Sequence, residues 1–427
     1  MPPVVWIIVC IVPIVIGLLI LESVYARKKN LKLYTFSDSI TNLSCGLLER
    51  IFDVFFSVLV LFGFNFVYEN IAPFQIELTV ISWIIALFVT DFIAYWFHRL
   101  SHEINFLWAA HIVHHQSEEL NITTVFRVSF LAVIYRAFFF VWMAVIGFDV
   151  FTIVSTTVFL GFYQLFTHSR VVGKLGIVEK FMTTPSHHRV HHARNEKYMD
   201  KNYSHIFIFW DKLFGSFMEE EEEPDYGITS GFERANPFRA TFSYWKNLFQ
   251  RAKKTKDIKN KINVFIKGPK WTPPDVNHLP NEFKIDNNGK RIPHKIPIKQ
   301  KEKRAYILFN VLITAASFIS ILYFKASLGK EIQLKSLLFN TQIVSLAVII
   351  LVSIFAHSRI IENKKFPLLT ESLRLISVVV LTIYGFQSTQ YFNWIISIVS
   401  IYCSIMFIWM IKLHLKPLKQ ILFVKNG

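Results

Sequence analysis

Hydrophobic residues come in long runs along this chain, with short polar stretches between them. The first run, VVWIIVCIVPIVIGLLI, starts at Val4 and leads into the basic residues Arg27, Lys28 and Lys29. It lacks the basic region and the small-residue cleavage site of a signal peptide. We therefore expect a retained membrane anchor at this position.

A helix needs about 20 consecutive apolar residues to cross a bilayer, because its backbone polar groups must all be satisfied within the segment. Further runs that meet this length are 45–67, 77–97, 130–147, 149–167, 305–324, 337–357, 367–386 and 391–412. Together with the first run they predict about nine transmembrane helices. We expect an all-α, polytopic integral membrane protein, and the composition, 53% hydrophobic and 16% aromatic, agrees with this class.

Basic residues between the apolar runs predict how the chain is oriented. They concentrate in 27–32, in 251–304 and at 364–365, and Lys and Arg are enriched in cytoplasmic loops. The same orientation places the histidine-rich segments described below on the cytoplasmic side.

The net charge of +16 does not indicate nucleic acid, because no aromatic-interleaved binding motif accompanies it. Contact with anionic lipid headgroups is the interpretation we favour for the basic segment.

Composition divides the chain into four parts. They are N-terminal transmembrane helices (1–75), a histidine-rich catalytic region (76–231), a basic cytoplasmic linker (232–304) and a C-terminal transmembrane block (305–427). The linker is rich in Lys, Pro and Asn, which favours irregular surface structure. The cysteines Cys10, Cys45 and Cys403 are far apart and none has a CxxC neighbour, so neither a thiolate zinc site nor a disulfide framework is expected.

Ten of the fifteen histidines fall within 98–192: His98, His102, His111, His114, His115, His168, His187, His188, His191 and His192. Residues at i, i+3 and i+4 share one face of a helix, so HRLSH, HIVHH and HRVHH each present imidazoles in a common direction. Such groups are expensive at membrane depth unless they have a function. A lone histidine, such as His278 or His414, is more often a hydrogen-bonded interfacial residue. The clusters therefore predict metal binding.

The number of histidines predicts two metal ions. One zinc ion takes about four ligands, and eight or nine imidazoles exceed that by about twofold. Imidazole suits zinc, copper, iron and nickel alike, so ligand type does not choose the metal, and the absence of HExxH argues against a zinc peptidase.

Two carboxylates near the first cluster are candidate catalytic residues. Asp91 shares a helical face with His98 and His102, and it would either orient a ligand histidine or make a buried structural hydrogen bond. Glu103 follows His102 directly, and it would act as a ligand, as a partner of a ligand, or as a charge at the helix end.

The set HRLSH, HIVHH and HHRVHH, with His168 between the last two, resembles the fatty acid hydroxylase superfamily, also called the sterol desaturase family, over about residues 85–227. Within it, TPSHHRVHH, HIVHHQSEELN and the HE pair at 102–103 look most like the alkylglycerol monooxygenases and their bacterial relatives. The segment NYSHIFIFWDKLFGSF differs from the usual family form, which has glycine in place of Ser204 or His205.

This resemblance implies a non-haem di-iron monooxygenase that uses O2 to hydroxylate a lipid C–H bond. It implies that the ten histidines hold two iron ions, His187 with less support than the others. It also implies that Glu103 matches a carboxylate that the alkylglycerol enzymes need, while Gln164 stands where some fatty acid hydroxylases have another histidine.

Ether cleavage of O-alkylglycerols is the activity that the resemblance favours. The alternatives are a sterol, fatty acyl or carotenoid hydroxylase or desaturase and, from another class, a non-catalytic membrane metal-binding protein. The chain has no dinucleotide-binding or haem motif, so the electron donor is separate: tetrahydrobiopterin, as in the alkylglycerol enzymes, or a ferredoxin or cytochrome. We expect a location in the cell membrane if the protein is bacterial and in the endoplasmic reticulum if it is eukaryotic.

Overall fold

A computed structural model describes residues 3–229, 235–276, 301–328, 334–362 and 367–424, except the side chains of 3–12, 334 and 416–424. Within these ranges the chain forms fifteen α-helices and no β-strand. The helices are α1 (Pro3–Lys28), α2 (Phe36–Asn70), α3 (Val80–Glu103), α4 (Asn105–His115), α5 (Ala132–Ile146), α6 (Val150–Thr167), α7 (Pro185–His192), α8 (Phe209–Leu213), α9 (Pro237–Lys254), α10 (Ile258–Ile266), α11 (Lys301–Ser327), α12 (Leu334–Phe339), α13 (Thr341–Glu362), α14 (Leu368–Phe386) and α15 (Phe392–Val424).

Seven of the helices in the described part of the chain are long and apolar enough to cross a bilayer: α2, α3, α6, α11, α13, α14 and α15. Large apolar side chains such as Phe62, Ile81 and Trp394 point outward from them and are exposed. Outward-facing apolar surface of this extent is typical of helices surrounded by lipid. The all-helical membrane architecture is therefore confirmed.

The predicted count of nine spans is not confirmed, since the described part of the chain holds seven candidates. Helix α5 has 15 residues and rises about 22 Å, which is less than the ~30 Å hydrocarbon core. It ends at Gly147, whose φ of 107° favours glycine and whose position leaves no room for a Cβ beside the Phe74 carbonyl. The first predicted span does form a helix, α1, but the side chains of its first ten residues lie outside the description.

Helix α2 connects the two membrane blocks. Its Leu48 and Ile51 share an apolar core with Ile343 and Ile350 of α13. Further along, Phe64 packs in a second core with α3, α5 and α6, where the fully buried alanines Ala86 and Ala94 of α3 leave space for neighbouring backbones. Small residues at helix contacts are the usual way in which membrane helices approach closely.

A buried ion pair lies inside the C-terminal block. The Arg374 guanidinium donates to the Glu371 carboxylate, to the Asn310 amide oxygen (2.9 Å) and to the Tyr402 hydroxyl (2.9 Å). These contacts join α11, α14 and α15. Charged groups inside a membrane protein are usually paired in this way, since an unpaired charge there costs several kcal/mol.

Two helices, α9 and α10, occupy part of the segment predicted as irregular, so that prediction was wrong for residues 237–254 and 258–266. Both pack against α4, where Leu248 and Val264 share a core with Ile112. The Tyr244 hydroxyl donates to the Asn105 amide oxygen (2.5 Å), and the Asn105 amide nitrogen donates to the Val264 carbonyl (2.9 Å). Helix α4, which carries HIVHH, is thus fixed from the side away from the membrane helices. Residues 277–300 of the predicted linker lie outside the described residues.

Candidate metal centre

Nine of the ten predicted histidines converge into two groups, in each of which the ligand atoms lie within 4.8 Å of one another. The five-histidine group is His98, His102, His111, His115 and His191, and the four-histidine group is His114, His168, His188 and His192. His111 and His114 are half-buried and the other seven are buried. The two groups touch, because the rings of His114 and His115 lie 5.5 Å apart.

Each HxxHH motif supplies both groups. In α4, the pair His111 and His115 belongs to the five-histidine group and His114 to the other; in α7, His188 and His192 belong to the four-histidine group and His191 to the other. Residues four apart on a helix lie on one face, whereas the third histidine is rotated about 100° from its immediate neighbour. The expectation of one common direction was therefore wrong for HIVHH and HRVHH, whereas His98 and His102 of HRLSH do belong to one group.

The separations between ring nitrogens suit ligands of a shared ion. The Nε2 atoms of His188 and His192 lie 3.0 Å apart, those of His168 and His188 3.0 Å, and those of His114 and His168 3.2 Å. In the five-histidine group, His111 Nε2 and His115 Nε2 lie 3.2 Å apart. Two nitrogens bound at about 2.1 Å to one ion, at an angle near 90–110°, are separated by about 3.0–3.4 Å.

Backbone carbonyls orient several of the rings through the other nitrogen. The Nδ1 atoms of His98, His168 and His191 donate to the carbonyls of Tyr203 (2.7 Å), Gln164 (2.8 Å) and Lys201 (3.0 Å). This leaves the Nε2 lone pair of each ring for a metal. Among the described residues, the buried Nε2 atoms of His102 and His191 have no hydrogen-bond partner, as expected for metal ligands.

Helix α7 is short and polar, yet all eight of its residues are buried. It begins at Pro185 after Thr184, and Arg189 fixes it through two hydrogen bonds to the Glu220 carboxylate (2.7 and 2.6 Å). Burial and the neighbouring imidazoles lower the pKa of His188 well below its usual range, so the ring is neutral at pH 7. Burying so many neutral imidazoles is unfavourable unless they have partners, and a metal ion would supply them.

Asp91 contacts a loop and not a ligand histidine. Its carboxylate accepts hydrogen bonds from the backbone N–H groups of Ile206 (2.9 Å) and Phe207 (3.1 Å) and from Trp210 Nε1 (3.0 Å). The same loop carries Tyr203, whose carbonyl accepts from His98. Asp91 thus acts on the centre indirectly, by holding the segment that orients His98.

Glu103 and His187 lie outside both groups. The Glu103 carboxylate accepts from Arg99 Nε (2.9 Å) at the half-exposed end of α3. His187 Nδ1 accepts from the Thr184 backbone N–H (3.3 Å), and its ring packs 5.6 Å from that of Phe217. In this position His187 helps to start α7.

His205 is a half-buried imidazole that the sequence motifs did not point out. Its ring lies 5.0 Å from that of His98, and its buried Nδ1 has no hydrogen-bond partner in the described part of the chain. Gln164 Nε2 donates to the His205 carbonyl (3.3 Å). His205 belongs to no HxxH spacing, so only its closeness in sequence to NY and WD could have drawn attention to it.

Comparison with known proteins is consistent with this centre. The fatty acid hydroxylase family model matches residues 83–216, which include all nine histidines. No solved structure matches the chain significantly.

Curated relatives extend the similarity beyond that region. Alkylglycerol monooxygenase of Danio rerio is 30% identical over 382 residues, which cover 88% of this chain and 82% of the relative. The human alkylglycerol monooxygenase is 35% identical over 257 residues, but the match spans only 58% of its length. The ornithine lipid hydroxylase OlsE of Rhizobium tropici is 30% identical over 167 residues, covering 36% of this chain and 50% of the relative. The chain therefore belongs to the fatty acid hydroxylase family, together with the alkylglycerol monooxygenases.

Proposed function

We propose that this protein is a membrane-bound di-iron monooxygenase that hydroxylates a C–H bond of a lipid, with an O-alkylglycerol as the preferred substrate. The observation that carries the proposal is the pair of adjacent imidazole groups at the ends of apolar helices. The alkylglycerol monooxygenases among the relatives support the choice of substrate class.

The nine histidines would hold two iron ions, five on one and four on the other. Bound iron supplies the two-electron activation of O2, in which R–H + O2 + 2e⁻ + 2H⁺ gives R–OH + H2O. Hydroxylation of the carbon next to an ether oxygen forms a hemiacetal, which collapses to an aldehyde and a free glycerol hydroxyl. The chain itself provides neutral, fixed imidazoles. It would also let a lipid reach them from the bilayer, because His98 and His102 lie at the last turns of α3, directly after its apolar part.

Asp91 and Glu103 would take different roles in this reaction. Asp91 fixes the loop 206–210 and through it the orientation of His98. Glu103 follows His102, a member of the five-histidine group, and is half-exposed. Its carboxylate is therefore available to solvent beside the centre. We propose Asp91 as a positioning residue and Glu103 as the residue that contacts a reactant or the reductant.

The electron donor is separate from this chain, and we propose a reduced pterin. We further propose that the centre faces the cytoplasm, since Arg27 and Lys28 end α1, Lys253 and Lys254 end α9, and such basic residues are enriched on the cytoplasmic side. These basic residues would also contact anionic lipid headgroups.

The test is the conversion of a labelled 1-O-alkylglycerol by purified, iron-loaded protein with tetrahydrobiopterin and O2. We expect two irons per chain and release of the labelled fatty aldehyde. Replacing His111 or His188 by Ala should abolish conversion, whereas His414→Ala, on α15 away from both groups, should not. One zinc per chain and no O2 consumption with any lipid would leave a non-catalytic metal-binding protein.

A second candidate is the hydroxylation of another membrane lipid, which the similarity to an ornithine lipid hydroxylase favours. It would be adopted if alkylglycerol is not converted and the same preparation oxidises an acyl chain or a sterol with ferredoxin as donor.

A further inference from the structure

The helix pair α9 and α10 has an apolar face that the described part of the chain leaves exposed. One side of the pair packs on α4, where Leu248 and Val264 are buried. Five large apolar side chains lie outside this core and are 49–69% exposed: Phe242, Phe249, Ile258, Ile262 and Ile266. We call these five residues the apolar face. Exposed apolar residues grouped in this way mark a contact with lipid or with another protein.

The apolar face follows the helical period on both helices. Phe242 and Phe249 are seven residues apart, close to two turns of α9, and the isoleucines of α10 are spaced by four. The Phe249 ring links the two helices, because its centre lies 5.5 Å from that of the Phe265 ring on α10. The five residues therefore belong to one surface.

This surface continues into α5. Phe106, at the start of α4, contacts Trp245 of α9 and Tyr135 of α5, with ring centres 5.1 and 5.3 Å apart. Along α5, apolar residues four positions apart are exposed: Ile134, Phe138 and Trp142. Helix α5 is apolar and packs among the membrane helices, so its outer surface meets lipid. Lipid is therefore the nearest neighbour of the apolar face as well.

Basic residues flank the apolar face. Residues 237–267 contain nine Lys or Arg and one acidic residue, Asp257. With about 100° between successive residues of a helix, Lys246 and Lys253 lie next to the exposed phenylalanines, on the side away from the buried Leu248. Anionic headgroups above acyl chains match this order of apolar and basic positions, whereas a protein partner would have to supply acidic residues at the same spacing.

We propose that α9 and α10 form an interfacial membrane-binding element. Its apolar face would enter the boundary between headgroups and acyl chains, and its lysines would contact anionic headgroups. The leaflet is the one on the side of the metal centre, because both helices pack against α4. Neither helix is among the seven candidate spans of the described chain, so the contact runs along the bilayer and does not cross it.

Such a contact would fix the depth of the helix that carries HIVHH. Asn105 is the first residue of α4, and its backbone N–H donates to the Lys267 carbonyl at the end of α10 (2.9 Å). Its side chain is held by Tyr244 of α9 and by the Val264 carbonyl. The start of α4 is thus joined to both helices of the element, and its histidines lie at a fixed distance from the apolar face.

The experiment measures the depth of spin labels in the full-length protein, reconstituted into bilayers of phosphatidylcholine and phosphatidylglycerol. The three native cysteines are replaced by alanine, and single labels are attached in Phe249→Cys and Ile262→Cys. Collisions with O2, which concentrates among acyl chains, are compared with collisions with a water-soluble nickel chelate. We expect both labels about 5–10 Å inside the headgroup boundary.

Gln250→Cys is the matched control, since Gln250 follows Phe249 directly and is exposed on the polar side of α9. Its label should collide mainly with the nickel chelate. Phe138→Cys on α5 is the reference for a lipid-facing site and should collide mainly with O2. All four labelled side chains are exposed, so the fold should persist, and thermal unfolding of each variant checks this.

Anionic lipid should hold the element in place. In phosphatidylcholine alone, collisions of the Phe249 and Ile262 labels with the nickel chelate should rise about twofold or more, because the basic residues lose their partners. Lys253→Gln with Lys254→Gln should have the same effect in the anionic bilayer. Equal accessibility in both lipid mixtures would contradict the contact with anionic headgroups.

Two further results would overturn the membrane contact itself. Nickel access at Phe249 as high as at Gln250 would place the apolar face in water. Low access of both reagents would mean that protein covers it, and dipolar broadening between Phe249 labels would identify that protein as a second copy of the chain. These measurements need no turnover, so a protein that oxidises no lipid would lose the proposed function and keep this element, and labels in water on an active enzyme would do the reverse.

Discussion

His188 Nε2 lies 3.0 Å from His168 Nε2, although the two residues are twenty positions apart and belong to different elements. His191, three residues after His188 on the same helix, belongs instead to the five-histidine group. Helix α7 is therefore shared between the two histidine groups, and its histidines should not be equivalent.

We predict that His188→Ala and His191→Ala each lose one ion, from different sites. Residues that serve one ion should be non-additive, so His188→Ala with His192→Ala should still retain one ion, whereas His188→Ala with His191→Ala should lose both. Metal content and the absorption spectrum of the cobalt-substituted protein are the measurements, with His414→Ala as the control. Loss of both ions from the His188/His192 double variant would contradict the division.

Asp91→Asn should destabilise the protein and weaken iron binding together. The carboxylate accepts from two backbone N–H groups and one indole N–H, and an amide has a single oxygen, so at least one buried donor loses its acceptor. The expected cost is about 1–3 kcal/mol. Thermal unfolding in detergent and iron retention after dialysis measure it. Asp257→Asn is the matched control. Asp257 caps α10 and Asn caps a helix as well as Asp does, so the stability of this variant should be unchanged. Equal stability of both variants would refute this role of Asp91.

The sequence predicted the membrane helices and the nine histidines that converge because both depend on local spacing. Apolar length predicts a span, and histidines four apart share a helical face whatever the helix contacts. The division of each HxxHH motif between the two histidine groups depends on where α4 lies against α7 and α3, and no single helix carries that information. The same limit applies to Asp91, which lies on the His98 face of α3 as predicted but bonds to Ile206, 115 residues away.

One other difference between prediction and structure had a local sequence signal, which the composition of the segment masked. Residues 237–254 were assigned to an irregular linker because Lys, Pro and Asn are frequent around them. Yet Asn236 caps α9 by accepting from Phe238 and Arg239, and Pro237 occupies the first turn, where proline is favoured. His205 had no such signal, since its place beside His98 results from a loop fixed by Asp91 and Gln164.

Glu103→Gln should reduce lipid oxidation while leaving both ions and stability nearly unchanged. Glu103 pairs with Arg99 at a half-exposed helix end, and such ion pairs contribute about 0–1 kcal/mol. A carboxylate that contacts a reactant would therefore affect turnover far more than folding. Turnover, iron content and unfolding temperature are measured on one preparation. Full activity in the variant would make Glu103 a helix-end charge only.

His205→Ala should retain two ions, in contrast to His98→Ala, which should lose one. His205 contacts the His98 ring at 5.0 Å but is absent from both ligand groups. Iron content of the two variants decides the matter. Loss of an ion from His205→Ala would add a tenth imidazole to the ligands of the centre.

Removing the metal should lower the stability of the whole histidine-rich region. All eight residues of α7 are buried, and its imidazoles would have to stay neutral without a cation to bind. A ligand that binds only the folded state stabilises it by RT ln(1 + [L]/Kd), or about 4 kcal/mol at a thousandfold excess over Kd. We therefore expect chelation to lower the unfolding temperature and Fe²⁺ to restore it. In His188→Ala with His191→Ala, which we expect to lack both ions, the chelator should have no effect. An unfolding temperature that does not respond to the chelator in the unmodified protein, once the loss of its iron is verified, would mean that the two histidine groups are stable without ions.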